Sequence, residues 1–372
     1  MTLAFRDHDQ ARRLTERLAE LVRRAGRPLA VMHVCGSHEQ AIARYGLRAR
    51  LPAGLEVLMG PGCPVCVTDA PEVDQAVALA QAGLHVLTYG DMLRVPGSTL
   101  SLDEARARGA RVTVIYAATQ AVEIARRASE PIVFFATGFE TTAVATAAIL
   151  AHDPPDNLFV LSAHKWVPAA MEVVAALPDS RVDGYLAAGH AATITGADLF
   201  EPFIARWHRP VVIAGFEPLD ILAALVLLVE ALVRREARLV NAFPRCVTPG
   251  GNARALALLR RVFDLDDGEW RGIARVPSGN LTLRPEYAAH DATRAFAARA
   301  LDPAGVDPEL LALRQDTAAC LCGRIMSGSA RPAECALFGT RCRPSHPVGA
   351  CMVSTEGACR IWLEHDVAGR TA

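Results

Sequence analysis

The chain has 372 residues, 51% hydrophobic and 21% charged, with a formal net charge of −1. This is the composition of a folded globular protein long enough for two or three domains, and it excludes a disordered chain. Near-neutral charge leaves no electrostatic footprint for nucleic acid, and no basic run suggests a membrane surface.

The N-terminal "MTLAFRDHDQARRLTERL" is charged from Arg6 onward and lacks the apolar core of a signal peptide. After it, short β-branched or apolar runs alternate with helical patterns, the signature of βαβ units and parallel sheets. Strands are expected at 28–34, 55–60, 85–89 and 111–116, then at 131–136, 158–163, 184–189 and 210–215. Helices are expected at Pro71–Gln81, Thr141–Ala151, Pro168–Ala176 and Pro218–Arg235. The most apolar run, Ile221 to Val229, falls far short of the ~20 residues a membrane span needs, and reads as a buried helix. The count predicts an α/β fold: two small open parallel-sheet, Rossmann-like domains at 1–125 and 126–240, then a cysteine-rich domain at 241–372. "PIVFFATGFE" and "PVVIAGFE" resemble each other and hint at a repeated unit. The expected location is the cytoplasm.

Polar residues gather directly after the strands, in "CGSHE", "GPGCPVC", "YGD", "TGFETT", "SAHK", "AAGHAATITG" and "GFEP". Ligands of open α/β sheets bind beyond the carboxyl ends of the strands, where helix N-termini also point. These loops therefore predict one shared site.

Ten cysteines in a reducing compartment point to metal binding or redox chemistry rather than a disulfide framework. Cys35 ends a strand and precedes a helix, whose dipole is expected to lower its pKa and favour thiolate. His38 is placed to bond that sulfur or reach the same ion. In "GPGCPVC", two prolines fix φ and two glycines permit tight turns, so Cys63 and Cys66 are held close enough for a disulfide or one soft ion. Lys165 is the sole lysine, which suggests a point charge that a guanidinium does not replace. Glu140 is a candidate to accept a proton or orient a donor, with Thr141 and Thr142 opening the following helix. Cys246 stands alone and reads as an inert buried thiol.

The last six cysteines, Cys320, Cys322, Cys335, Cys342, Cys351 and Cys359, lie in a stretch with no period and little apolar pattern. A metal would supply the missing stabilisation. Zinc sites favour paired CxxC motifs, absent here, whereas iron–sulfur clusters accept irregular spacings, so a [4Fe–4S] cluster is preferred to zinc.

Together, "HVCGSHE", "GPGCPVC", "TGFETT", "SAHK", "GFEPLDIL" and the closing "CxCG…C…FG…C…PVG-CMVS-EGAC" resemble the HypD family of [NiFe]-hydrogenase maturation factors. The motifs run in order across nearly the whole chain. Ser37 stands where the family typically has threonine, and "AAGH" at 187–190 replaces a proline-glycine-histidine loop. The resemblance implies a scaffold for assembling the Fe(CN)2(CO) unit, working with a HypC-like chaperone and a HypE-like cyanide donor. It implies Cys35 as the ligand of a transient mononuclear iron, with His38 beside it and Cys63 and Cys66 cycling between dithiol and disulfide. By likeness to ferredoxin:thioredoxin reductase, Cys320, Cys335, Cys342 and Cys359 would hold the cluster, with Cys322 and Cys351 as a redox pair; Cys322 or Cys351 as a ligand is the alternative. The rival functional reading is a stand-alone iron–sulfur thiol–disulfide oxidoreductase.

Overall fold

A computed structural model of the chain describes residues 4–297 and 319–367. Two open sheets organise it, and neither comes from one continuous stretch of chain. The first is wholly parallel, in the order β2-β1-β7-β8-β9, from β1 (Leu29–His33), β2 (Leu55–Met59), β7 (Gly184–Ala188), β8 (Val211–Ala214) and β9 (Leu239–Asn241). The second runs β10-β11-β6-β5-β3-β4. Its parallel part is β3 (His85–Tyr89), β4 (Val112–Ile115), β5 (Ile132–Gly138) and β6 (Leu158–Lys165). An antiparallel hairpin of β10 (Phe263–Trp270) and β11 (Ala274–Leu283) extends that sheet beside β6.

All eight expected strands form, and the four expected helices appear within a residue or so of their predicted bounds. The expected boundary near residue 125 does not separate the sheets. The chain starts the first sheet with β1 and β2, builds four strands of the second, and returns for β7 to β9. The two similar strand–turn pieces fall on β5 and β8, in different sheets. The hairpin was not foreseen because "FDLDDGEW" turns most of its side chains to solvent and shows no apolar run.

Residues of β1 and β5 are buried throughout, as parallel strands covered on both faces must be. Helix Pro218–Arg234 buries Ile221, Leu222, Leu225 and Leu228 among Leu29, Val31 and Val212 of the first sheet, which confirms the apolar run as a core helix. A second cluster surrounds Phe134 and Ala147. The largest joins Met32, Val34, Val86 and Phe135 from both sheets to Ile325, Met326, Leu337 and Met352 of the tail. The C-terminal cysteines therefore pack on the common core; residues 298–318 and 368–372 of the expected C-terminal domain lie outside the described residues. Among the described residues, no helix is long and apolar enough to cross a membrane.

Phe134 is fully buried and meets Tyr89 edge-on at 5.5 Å between ring centroids. Phe134→Ala should cost about 3–5 kcal/mol. Urea denaturation should show a lower midpoint with an unchanged slope.

Candidate functional site

In each sheet the chain steps first to one side and later returns on the other, leaving a switch point between β1 and β7 and another between β3 and β5. Crevices at such points are where open α/β sheets place their ligands. Cys35 follows β1 and caps helix Gly36–Arg44. His190 follows β7, and its Nδ1 stands 3.9 Å from the Cys35 Sγ. The Gly36 N–H donates to the Gly62 carbonyl at 3.2 Å, laying the GPGCPVC loop against Cys35. A Cβ at Gly62 would lie 2.1 Å from the Cys35 nitrogen, so only glycine permits this approach. Cys63 and Cys66 form a disulfide, both almost fully buried, and the Cys66 N–H donates to the Cys63 Sγ at 3.2 Å.

Two expectations for Cys35 are corrected. Its thiol is pushed up to about 12, not lowered. Burial is the largest cause; the helix N–H groups of His38 and Ser37 do pull downward, as a dipole should, but Glu356 nearby adds to the rise. Secondly, His38 does not bond the sulfur. Its Nε2 donates to the carbonyls of Ala214 and Gly215, at 3.3 and 3.1 Å, and its ring lies against Phe216. Burial holds His38 down to about 3 and His190 to about 4, so both imidazoles are neutral and neither repels a cation.

Behind His38 lies the buried Glu39 carboxylate, which accepts from His33 Nε2 at 2.7 Å, from Trp362 Nε1 at 2.8 Å and from Arg48. Burial alone would raise its pKa, but Arg48 and His33 hold it at about 2. Trp362 belongs to helix Ala358–Glu364, so this carboxylate ties the tail to the Cys35 helix. Ser37 Oγ donates to Glu356 at 3.0 Å, and Ser354 Oγ to Asp91 at 3.1 Å, closing the tail over the same crevice.

The second sheet supplies the far side. Glu140 is fully buried; its Oε1 accepts from the Val167 N–H at 2.6 Å, while Oε2 has no partner. It therefore orients a backbone donor, and burial raises it to about 8. Lys165 is also fully buried and donates to Glu72 at 2.6 Å and Asn280 at 3.0 Å. Thr141 and Thr142 lie in the first turn of helix Glu140–Ala151.

All six tail cysteines line one narrow cavity of about 10 Å³, with Ile325, Phe338 and Met352 among its other walls. This volume is scarcely room for one water. No three His, Cys, Asp or Glu side chains among the described residues already form a group able to hold a metal ion. The donor set is nevertheless all sulfur, the soft ligand that iron–sulfur clusters take. Contact with Cys322 and then burial push Cys320 up. Burial and the neighbouring thiols raise Cys359 well above the ordinary range. Such a set cannot ionise together without added positive charge, which a cluster's iron brings. The residues present fit that group. Cys322 is in hydrogen-bond contact with both Cys320 and Cys351. Helix Ala350–Val353, carrying Cys351, packs on the Pro64–Val67 helix that carries Cys66.

The CGSHE, GPGCPVC, AAGH and GFEP loops meet around Cys35, and two strand-end residues turn elsewhere. Glu217 of "GFEP" turns away to the surface and pairs with Arg6 at 2.7 Å. His164 of "SAHK" is spent on Thr146 and Phe263. Cys246, expected to be buried, is exposed. Sequence reasoning did not single out His190, His33, Glu39 or Arg271. His190 and Glu39 stood inside quoted strand-end loops; Arg271 occupies a hairpin turn that gave no signal.

Two switch-point sheets bury a lone cysteine beside a CxxC disulfide, with a six-sulfur cavity in the tail, and together define an α/β protein with most of its cysteines gathered at the strand ends and the tail. The family model named HypD, described as the hydrogenase formation hypA family, matches residues 9–366. The chain is 41% identical to hydrogenase maturation factor HypD of Azotobacter vinelandii, over 97% of this chain and 95% of that protein. It is 37% identical to hydrogenase maturation factor HypD of Escherichia coli K12, over 95% and 93%. The chain belongs to the HypD family of hydrogenase maturation factors.

Two predictions follow from the buried carboxylates. Glu39→Ala would leave Arg48 without its partner and should cost about 3–5 kcal/mol. Limited proteolysis should then cut within the tail before the sheets. For Glu140, the folded pKa of about 8 exceeds the unfolded value near 4.3. Its protonated form is thus favoured by folding, and that contribution is lost as pH rises from about 4.3 through 8. Glu140→Gln keeps the acceptor for Val167 and removes the titration. The melting temperature of the parent relative to this variant should fall between pH 5 and 8.

Proposed function

We propose that this protein is the scaffold on which the Fe(CN)2(CO) moiety of the [NiFe]-hydrogenase centre is assembled. The observation that carries it is the placement of a buried Cys35 directly against the GPGCPVC loop, with neutral His190 beside its sulfur. Cys35 is the iron ligand this chain contributes, and binding displaces its proton, so uptake of the iron substrate is linked to proton release. Cyanide and CO bind low-spin Fe(II) strongly, and a soft thiolate holds such an ion without competing for the diatomic positions. A HypC-like chaperone would complete the coordination and a HypE-like protein would deliver cyanide.

Cys320, Cys335, Cys342 and Cys359 would hold a [4Fe–4S] cluster, which supplies electrons one at a time when bound. Cys322 and Cys351 would be the redox pair; both line that cavity, and the helix carrying Cys351 packs on the CxxC helix. Reducing Cys63–Cys66 breaks one S–S bond and takes up two electrons and two protons. The rival reading, a stand-alone oxidoreductase acting on another protein, needs a disulfide that a partner's thiol can attack. Cys63 and Cys66 are buried to 1% and 0% exposure, which favours internal transfer.

The test is infrared spectroscopy with iron and sulfide analysis on protein purified anaerobically after co-expression with its partners. Cyanide and CO stretches are expected from the parent and should vanish in Cys35→Ala. Parent protein lacking both bands despite full cluster content would sink the scaffold reading. Cys63→Ser should retain cluster iron while abolishing hydrogenase maturation.

A further inference from the structure

We propose that Arg271 and Lys165 are positioning residues that grip the segment after the CxxC helix and thereby set the thiol–disulfide equilibrium of Cys63 and Cys66. The inference rests on the reading that these cysteines cycle, and it concerns two buried cations that chemistry at the sulfurs does not itself require.

Both cations act through the β10–β11 hairpin. Its turn presses on the end of the Pro64–Val67 helix: the Arg271 N–H donates to the Val67 carbonyl at 3.0 Å, and Arg271 Nε to the Thr68 carbonyl at 2.7 Å. Both carbonyls lie at the helix C-terminus and lack intrahelical donors; the Arg271 backbone amide meets the first, and its guanidinium, a cation favoured at that end, meets the second. Asp69, Asp74 and Glu72 face the guanidinium from the following segment, and Cys322 faces it from the tail. Its Nη2 is sealed from solvent with no partner. A buried donor left unmatched calls for a reason to keep the residue there.

The base of the hairpin is fixed by the other cation. Lys165 bonds Asn280, its register partner across β6 and β11, and Glu72 on the helix that begins at Ala70. Glu72 in turn accepts from the Asp69 N–H at 2.8 Å. Asn280 finds room because residue 268 on the neighbouring strand has no side chain; a Cβ there would lie 2.1 Å from the Asn280 amide. The chain from Val67 to Glu72 is thus held at one end by the hairpin turn and at the other by Lys165 of β6, which also bonds Asn280 of the hairpin. Lys165, the only lysine, is enclosed where a planar guanidinium would need more space.

An intramolecular disulfide is favoured by the effective concentration of one thiol at the other, and immobilising the loop raises that concentration. Loosening the grip should therefore favour the dithiol. In the test reaction dithiothreitol is the reductant: its two thiols become a disulfide, the Cys63–Cys66 bond breaks, and two electrons and two protons pass to the protein sulfurs.

The experiment equilibrates full-length, anaerobically purified protein across ratios of reduced to oxidised dithiothreitol, traps the thiols, and reads the Cys63–Cys66 peptide by mass spectrometry. Arg271→Gln should lower the equilibrium constant for disulfide formation about tenfold, equivalent to about 30 mV. Arg271→Lys, which still donates to Thr68, should stay within about threefold of the parent. Gly268→Ala displaces Asn280 at a distance from the loop and should shift the equilibrium in the same direction; it carries the test if the glutamine variant does not fold. Thermal unfolding measured alongside separates positioning from support. Arg271→Gln and Gly268→Ala losing melting temperature while their equilibrium stays within twofold of the parent would overturn the inference. Parent protein whose Cys63–Cys66 pair does not respond to any ratio would instead remove the thiol-cycling reading.

Discussion

The buried Glu39 carboxylate is the constraint around which the Cys35 crevice is built. It collects donors from β1 through His33, from the loop after its own helix through Arg48, and from the C-terminal tail through Trp362. An ionised carboxylate survives at full burial only when its lone pairs are met and its charge is paired. Meeting that demand fixes three parts of the chain at once. Helix Gly36–Arg44 is then locked in rotation, and Cys35, one turn before Glu39, is aimed at His190 and the GPGCPVC loop.

The chemistry of the crevice follows from competition between burial and local dipoles. A helix N-terminus does act on Cys35, yet complete burial outweighs it and keeps the thiol protonated. The same enclosure keeps His38 and His190 neutral. The result is a thiol and two imidazoles all without charge, so a bound cation would itself drive thiol ionisation, with the Glu356 carboxylate nearby. The tail cavity obeys the same logic with more sulfurs and less space.

Between these two sulfur sites stands the disulfide, enclosed by the Cys35 loop, the Cys351 helix and the turn of the β10–β11 hairpin. The hairpin belongs to the second sheet while Cys35 belongs to the first. The CxxC loop is thus where the two sheets and the tail meet.

Much of this was legible in the sequence. Apolar β-branched runs located every parallel strand except the short β9, because strands covered on both faces need little beyond hydrophobicity and local turns to declare themselves. The stiff GPGCPVC loop, the strand-end position of Cys35 and the likeness to the HypD motifs were local facts that single short stretches of chain encode. Sheet membership, the partner of the Cys35 sulfur, the exposure of Cys246 and the role of Arg271 were not. Each depends on residues distant along the chain: Cys35 and His190 lie 155 positions apart, and Glu39 and Trp362 lie 323 apart. Periodicity and spacing record what a residue does to its neighbours in the chain. Burial, which reversed the expected ionisation of Cys35, and the choice of hydrogen-bond partner arise only when separate segments close over one another.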